Sequence, residues 1–419
     1  MKILLTTDTW TPTINGVVTS TVSLRAALAA QGHEVRVLTL SGDSHTYTKD
    51  GVTFLGSLDA GLVYPGARLR APALNHAIRD LIAWCPDVVH SQCEFSTFAP
   101  ARRIAHTVGA PLIHTYHTVY EDYTHYFSPS RSMGRKMAAL FTRMICASCD
   151  AVIAPTPKIS RLLTGYGVHC PVRIIPTGLD LQRFAVPRDD VLRKQLGLSP
   201  REENKTVLLS LGRLAKEKNT TELIKAMQQL PNAVLLIVGD GPERAALEQQ
   251  AQTLHVADRV VFAGAVPPAE VPRYYALGDV FVSASTSEAQ GLTYIEAMAA
   301  GLPLLCRADP CLDALVREGE TGWAYHTPAE LTARAAALPQ GAQLAAMHKV
   351  PAAPCSPIRK SSSALAWHSF MRRRWAANMP PAVWQGRMWH DQKNQPGSVH
   401  SGTAVLRRAG VWLLESRTV

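Results

Sequence analysis

The feature that most constrains the fold is an alternation of short apolar runs with helical stretches, repeated in two series. The first series runs through Ile3 to Thr6, Val35 to Leu40, Val52 to Leu55, Val88 to Ser91, Leu112 to Thr115, Val152 to Ala154 and Val172 to Ile175. Helical stretches such as Val22 to Ala30 and His76 to Trp84 separate most of them. After Pro176-Thr177-Gly178-Leu179-Asp180 comes a charged, Pro-bearing stretch, and residues 187–204 read as a linker. The second series is Val207 to Leu211, Val234 to Val238, Val260 to Phe262, Val280 to Ser283 and Leu304 to Cys306. Such alternation predicts parallel sheets with helices on both faces. The expected architecture is α/β, with two Rossmann-like doubly wound domains, 1–186 and 205–340, facing a central cleft. Ligands should bind there, at the carboxyl ends of the strands. A chain of 419 residues, 47% hydrophobic, can bury two full cores.

Composition narrows the class further. The start, Met1-Lys2-Ile3-Leu4-Leu5-Thr6-Thr7-Asp8, has too short an apolar run for a signal peptide, and no stretch approaches the roughly 20 apolar residues of a bilayer span. A cytoplasmic protein, or one peripheral on the inner face of the membrane, is expected. The eight cysteines are scattered, as reduced buried thiols are. Cys146 and Cys149 form a C-x-x-C with no second pair at zinc spacing, so no metal site is expected. The net charge is +10, but residues 341–419 hold eleven of the 43 Lys and Arg and two of the 33 acids. The rest of the chain is nearly neutral, so its charge does not point to nucleic acid.

Residues that could carry chemistry gather at predicted strand ends. Ser285 to Leu292 reads as a loop after the strand Val280 to Ser283, with a helix from Thr293 that ends at Gly301-Leu302-Pro303. Glu288 would lie in the loop and Glu296 in the first helical turn. Free N–H groups at that turn suit a diphosphate, and the carboxylates suit hydroxyls. An N-terminal Glu that merely complements the helix dipole is the plainer alternative. Arg213 and Lys218 follow the first strand of the second series and could neutralise a diphosphate leaving group. Gly239 and Gly241 form a tight strand-to-helix turn. Ile113 to Tyr126 is the densest polar-aromatic cluster, too polar for a core without many partners.

These segments together resemble a known family. Ser287-Glu288-Ala289-Gln290-Gly291-Leu292-Thr293-Tyr294-Ile295-Glu296-Ala297-Met298-Ala299-Ala300-Gly301-Leu302-Pro303 resembles the E-x7-E signature of retaining family 4 glycosyltransferases, which have the GT-B fold. The resemblance implies that Glu288 contacts donor-sugar hydroxyls and Glu296 the ribose, with Gly291, Leu292 and Thr293 also at the donor. Gly212-Arg213 to Lys218 resembles the family's G-R-x4-K element, which implies diphosphate contacts for Arg213 and Lys218. By family position Gly239 and Gly241 line the nucleotide pocket, and Gly16, in Asn15-Gly16, reaches the donor phosphates and acceptor. His117 fits the second His of H-x-x-H-T, which contacts the donor sugar, while His114 reads as structural. The run His114-Thr115-Tyr116-His117-Thr118 through Tyr126, the start Thr6 to Ser20 and the form of the signature are similar to bacterial 1,2-diacylglycerol 3-glucosyltransferases, over roughly residues 1–335. UDP-glucose would then be donor and diacylglycerol acceptor, with Asp122 a candidate for the acceptor hydroxyl. No cofactor is implied as required, though Mg2+ could stimulate. Other acceptors (phosphatidylinositol, another glycolipid or a soluble sugar), a nucleotide-sugar epimerase, and a nucleotide-sugar binder impaired by its tail are the rival readings.

A lipid acceptor needs a membrane surface. Met133, Met137, Leu140, Phe141, Met144 and Ile145 recur on one helical face, with Arg131, Arg135, Lys136 and Arg143 opposite or flanking. The apolar face could pack on the sheet, with the basic residues meeting an anionic membrane surface. Beyond residue 340 the alternation stops. Residues 341–419 are basic, rich in Pro and Ser, hold five of the eight tryptophans and show no helix returning to the first domain. An irregular segment is expected there, read either as an out-of-frame product or as a basic, aromatic membrane-binding tail.

Overall fold

The computed structural model describes residues 1–61, 67–70, 75–126, 130–198, 205–339, 344, 347, 366–367 and 369–370, apart from the side chains of 124–126 and 131. Residues 1–368 form one compact unit; of the second, Ser369–Val419, only 369–370 are described.

The first domain is built on β1 (Lys2–Thr6), β2 (Glu34–Leu40), β3 (Tyr47–Lys49), β4 (Val52–Leu55), β7 (Val88–Ser91), β8 (Leu112–Thr115), β9 (Ala151–Ala154) and β10 (Val172–Ile174), with a small hairpin of β5 (Leu58–Asp59) and β6 (Arg68–Leu69). Its sheet order is β10-β9-β8-β7-β1-β2-β4-β3, parallel but for the antiparallel edge strand β3. The helices are α1 (Gly16–Ala30), α2 (His76–Trp84), α3 (Phe98–Val108), α4 (Arg131–Cys146) and α5 (Pro157–Gly165). Side-chain caps fix several starts: Asn15 accepts the Val18 N–H, and Thr156 accepts the Ile159 N–H with Pro157 at the first helical position.

The second domain continues with α6 (Asp190–Gln195), β11 (Thr206–Leu211), α7 (Thr220–Ala226), β12 (Ala233–Val238), α8 (Arg244–Thr253), β13 (Val260–Gly264), α9 (Val271–Tyr275), β14 (Val280–Ser283), α10 (Leu292–Ala299), β15 (Leu304–Arg307), β16 (Gly322–Tyr325) and α11 (Pro328–Ala336). All its strands are parallel, in the order β13-β12-β11-β14-β15-β16. This is the doubly wound order, whose direction reverses between β11 and β14 and opens a crevice at their carboxyl ends. In β12 alternate residues feed two layers: Val234, Leu236 and Val238 pack to one side, Leu235 and Ile237 to the other. That two-sided burial is why the run is apolar throughout.

Two expectations need correction. The described part of 187–204, residues 187–198, is not a free linker. It includes α6, and Leu192 and Leu198 join Leu179 and Phe184 in the core of the second sheet. Of the charges that suggested a linker, Asp189 caps the helix and Asp190 and Lys194 are exposed, while Arg193 is buried. The tail also takes part in the fold where it is described. Leu344 joins the second-domain core. Trp367 is 1% exposed, stacks on His90 of the first domain and donates from Nε1 to His90 Nδ1 at 3.0 Å. Apart from Leu344 and Met347, residues 341–365 lie outside the described residues, as do 368 and 371–419.

Candidate active site

Loops at the carboxyl ends of both sheets meet across the cleft. In the second domain, Gly239 and Gly241 allow one loop to lie on another. A Cβ at Gly239 would sit 2.0 Å from the Gly212 carbonyl oxygen, and one at Gly241 would sit 2.3 Å from that of Leu214. The glycines are therefore demanded by the backbone of the β11 loop, which they hold in place behind Arg213. Arg213 is half-buried, one residue beyond Gly212.

Lys218 and Glu288 meet as an ion pair, Nζ to Oε1 at 2.5 Å, with side chains 29% and 13% exposed. Burial disfavours the Lys218 ammonium, but the Glu288 carboxylate outweighs it and holds the group above its usual range. Gly291 caps α10 with φ +69°, and a Cβ there would strike the Tyr294 ring at 2.4 Å. Leu292 and Thr293 open the helix. Glu296 therefore starts its second turn, not its first, because Gly291 starts the helix one residue earlier than expected. It accepts a hydrogen bond from Tyr275 at 2.8 Å, and burial pushes its carboxyl up to about 7.

The first domain supplies the facing wall. His117 Nε2 contacts Gln92 Oε1 at 2.8 Å, and burial lowers the imidazole to about 4. His117 is thus neutral at physiological pH, with Nε2 as donor since a carbonyl oxygen can only accept. His114 is fully buried against Glu94, at 3.1 Å, as a structural residue would be. Glu94 also accepts from Tyr120 at 2.5 Å, bracing the loop that carries His117. Asp8, at the end of β1, accepts the Thr97 N–H at 2.7 Å, and burial raises it to about 6. Gly16 begins α1 at the cleft, where an added Cβ would lie 3.8 Å from Leu292 Cδ1. Asp122 lies against Ser287 of the signature loop and near Lys158, and burial raises its carboxyl. Among the described residues, the buried Gln92 Nε2 and Ser285 Oγ have no hydrogen-bond partner.

Direct hydrogen bonds join the two walls. Thr177 N–H donates to Gln290 Oε1 at 2.8 Å, and Gln290 Nε2 donates back to the Thr177 carbonyl at 3.2 Å. Lys158 and Thr156 donate to the carbonyls of Glu288 and Ala289, each at 2.8 Å. Sequence reasoning missed Gln92, Glu94, Lys158, Gln290 and Asp309. The signal available for Gln92 and Glu94 was a polar run directly after an apolar strand, and for Lys158 a position just past a Thr-Pro helix start.

The helix expected at the membrane, α4, turns its apolar stripe outward. Met133, Met137, Leu140 and Met144 are about half exposed or more, while Gly134, Ala138, Thr142 and Cys146 are buried. The inward-packing expectation fails because these small residues let the other face approach the domain. Phe141 and Ile145 flank the seam, Phe141 stacking on Phe95. Lys136 and Arg143 are exposed, and Arg135 is exposed and pairs with Glu121 at 2.9 Å. The Arg131 side chain lies outside the described residues. Among the described residues no helix is long and apolar enough to cross a membrane, and no cluster of His, Cys, Asp or Glu is gathered for a metal.

Two doubly wound domains with a cationic strand-end loop and an acidic signature loop at their seam define a GT-B glycosyltransferase. Residues 14–183 match the Glycosyltransferase Family 4 profile and residues 194–340 that of glycosyl transferases group 1. The chain is 34% identical over 342 residues to an alpha-monoglucosyldiacylglycerol synthase of Streptococcus pneumoniae, covering 78% of this chain and 75% of that protein. It is 32% identical to the alpha-monoglucosyldiacylglycerol synthase of Acholeplasma laidlawii, over 79% and 86% of the two chains. The fold matches that of Anabaena HepE solved with UDP and glucose, with a TM-score of 0.70, 19% identity and coverage of 89% and 100%. Sucrose-phosphate synthase of Thermosynechococcus elongatus matches with a TM-score of 0.70, 23% identity and coverage of 90% and 100%. The chain belongs to glycosyltransferase family 4.

Proposed function

We propose that this glycosyltransferase transfers glucose from UDP-glucose to 1,2-diacylglycerol at a membrane surface, with retention of the anomeric configuration. The observation that carries the reading is the Lys218–Glu288 pair at the signature loop, held where both domains meet. The donor diphosphate would take Lys218 and Arg213, and the sugar hydroxyls would take Glu288. As the bond from C1 to the diphosphate oxygen breaks, the two cations neutralise the charge that grows there. The acceptor hydroxyl attacks C1 from the same face, and its proton passes to the departing diphosphate. Neutral His117, its Nε2 proton given to Gln92, can meet a sugar hydroxyl only as an acceptor through Nδ1, and Glu296 faces the ribose. No step requires a resident metal. The curated relatives' names support glucose and diacylglycerol. The outward apolar stripe of α4, flanked by Lys136 and Arg143, supports docking on an anionic bilayer. A peripheral place on the inner membrane face follows from that docking.

The test uses UDP-glucose and diacylglycerol in anionic vesicles, with calorimetric UDP binding in parallel. Wild-type protein should form lipid-linked α-glucose. Glu288→Ala should abolish transfer while UDP affinity holds or rises, since Lys218 is released. Lys218→Met should weaken UDP by about tenfold or more, the value of one charge-assisted contact. No UDP binding by the wild type would sink the cleft reading; binding with glucose moved only to soluble sugars would sink the lipid acceptor.

A further inference from the structure

The signature loop is gripped from the first domain at three successive residues, Glu288, Ala289 and Gln290. The strongest of these contacts comes from Lys158 at the start of α5. Its Nζ donates to the Glu288 carbonyl at 2.8 Å and to Asp309 Oδ2 at 2.6 Å. Asp309 follows β15 and is itself fixed, its other oxygen accepting the Cys311 N–H at 2.8 Å. The Lys158 and Asp309 side chains are 17% and 4% exposed. An apolar pair of equal volume would stabilise the seam as well or better, so stability alone does not account for a charge pair in this place. What the pair adds is direction and condition. It exists only when the two domains are together, and it aims an ammonium at the peptide of Glu288.

We propose that Lys158 is a positioning residue that couples domain closure to the orientation of the donor sugar. Lys218 holds the Glu288 carboxylate from within its own domain, and Lys158 fixes the Glu288 backbone from the other. With the domains apart, the loop loses Lys158, Thr156 and Thr177 together, and only Lys218 steers Glu288. The diphosphate groups are second-domain residues, so UDP binds either form, whereas the sugar is oriented for transfer only in the closed one. This inference rests on the donor assignment made above.

The experiment compares wild type, Lys158→Met, Asp309→Asn, the double variant and Lys158→Arg. Four quantities are read: kcat for transfer, calorimetric UDP affinity, melting temperature, and compaction on adding UDP by small-angle scattering. Each single variant should lose about 10- to 100-fold in kcat, the effect of misplacing a reacting group by roughly 1 Å. UDP affinity should stay within about twofold, since the diphosphate contacts are untouched. The double variant should be no worse than the worse single, because both act through one pair. Lys158→Arg should recover part of the loss, and Lys158→Met should fail to compact with UDP. An unchanged kcat, or UDP affinity and melting temperature falling in step with kcat, would overturn the inference and leave a merely structural contact. A wild type that binds no UDP would instead overturn the donor assignment and this inference with it.

Discussion

Glu288 and Glu296 carry the same functional group into opposite surroundings. Glu288 meets an ammonium; Glu296 meets a neutral phenol and is pushed up to about 7 by burial. The folded protein therefore binds a proton at Glu296 that the unfolded chain, titrating near 4.5, releases. Stability from this group is present below about 4.5 and is lost as pH rises through about 7. Glu296→Gln should remove that loss, gaining on wild type by roughly 3 kcal/mol across those limits, as read by denaturant melts at several pH values. UDP affinity should rise with pH through the same window in wild type, as the carboxylate forms, and stay flat in Glu296→Gln. His117, held near 4 by burial, should leave no inflection in activity between pH 6 and 8. At this scale Arg213, Lys218, Glu288 and Glu296 were legible as candidates through the family motifs they sit in; charge and position alone left a structural reading open. Lys158 and Asp309 were not, because each is explained only by a partner about 150 residues away.

Helix α4 shows what periodicity does and does not say about an element. The spacing of Met133, Met137, Leu140 and Met144 identifies one face, and it is one face. Periodicity cannot say which side turns inward when the opposite side carries Gly134, Ala138, Thr142 and Cys146, small enough for close approach. Met137→Glu with Met144→Glu should cut binding to anionic vesicles by at least tenfold, since burying each methionine contributes roughly 1.5–3 kcal/mol. The melting temperature should barely move, because both positions are exposed. Vesicle flotation and a thermal scan read the two outcomes. Loss of stability with unchanged vesicle binding would show that the stripe belongs to the fold and not to the bilayer.

For the whole molecule, strand-helix alternation carried the architecture. It found five of the six strands of the second sheet but missed β16, a four-residue edge strand that opens on a glycine at φ +156°. It also placed a linker where Leu192 and Leu198 complete a core. Trp367 had no local signal at all: its seat on His90 joins positions 277 residues apart. Trp367→Ala should destabilise the protein by about 3–5 kcal/mol, the range for truncating a buried tryptophan, read as a lower melting temperature. Trp367→Phe should lose less, giving up mainly the Nε1–H donation. An unchanged melting temperature in Trp367→Ala would show that this stretch contributes nothing to the fold.

The pairing of Gln290 with the backbone of Thr177 has one more consequence. Thr177 lies in the stretch that carries the chain from one domain to the other, and its N–H is closed only by a side chain from the far wall. Its proton can exchange with solvent deuterium only when the walls part. The protection of that single amide is thus a direct gauge of the opening free energy, and bound donor should deepen it while leaving amides inside β12 at the exchange rate of global unfolding.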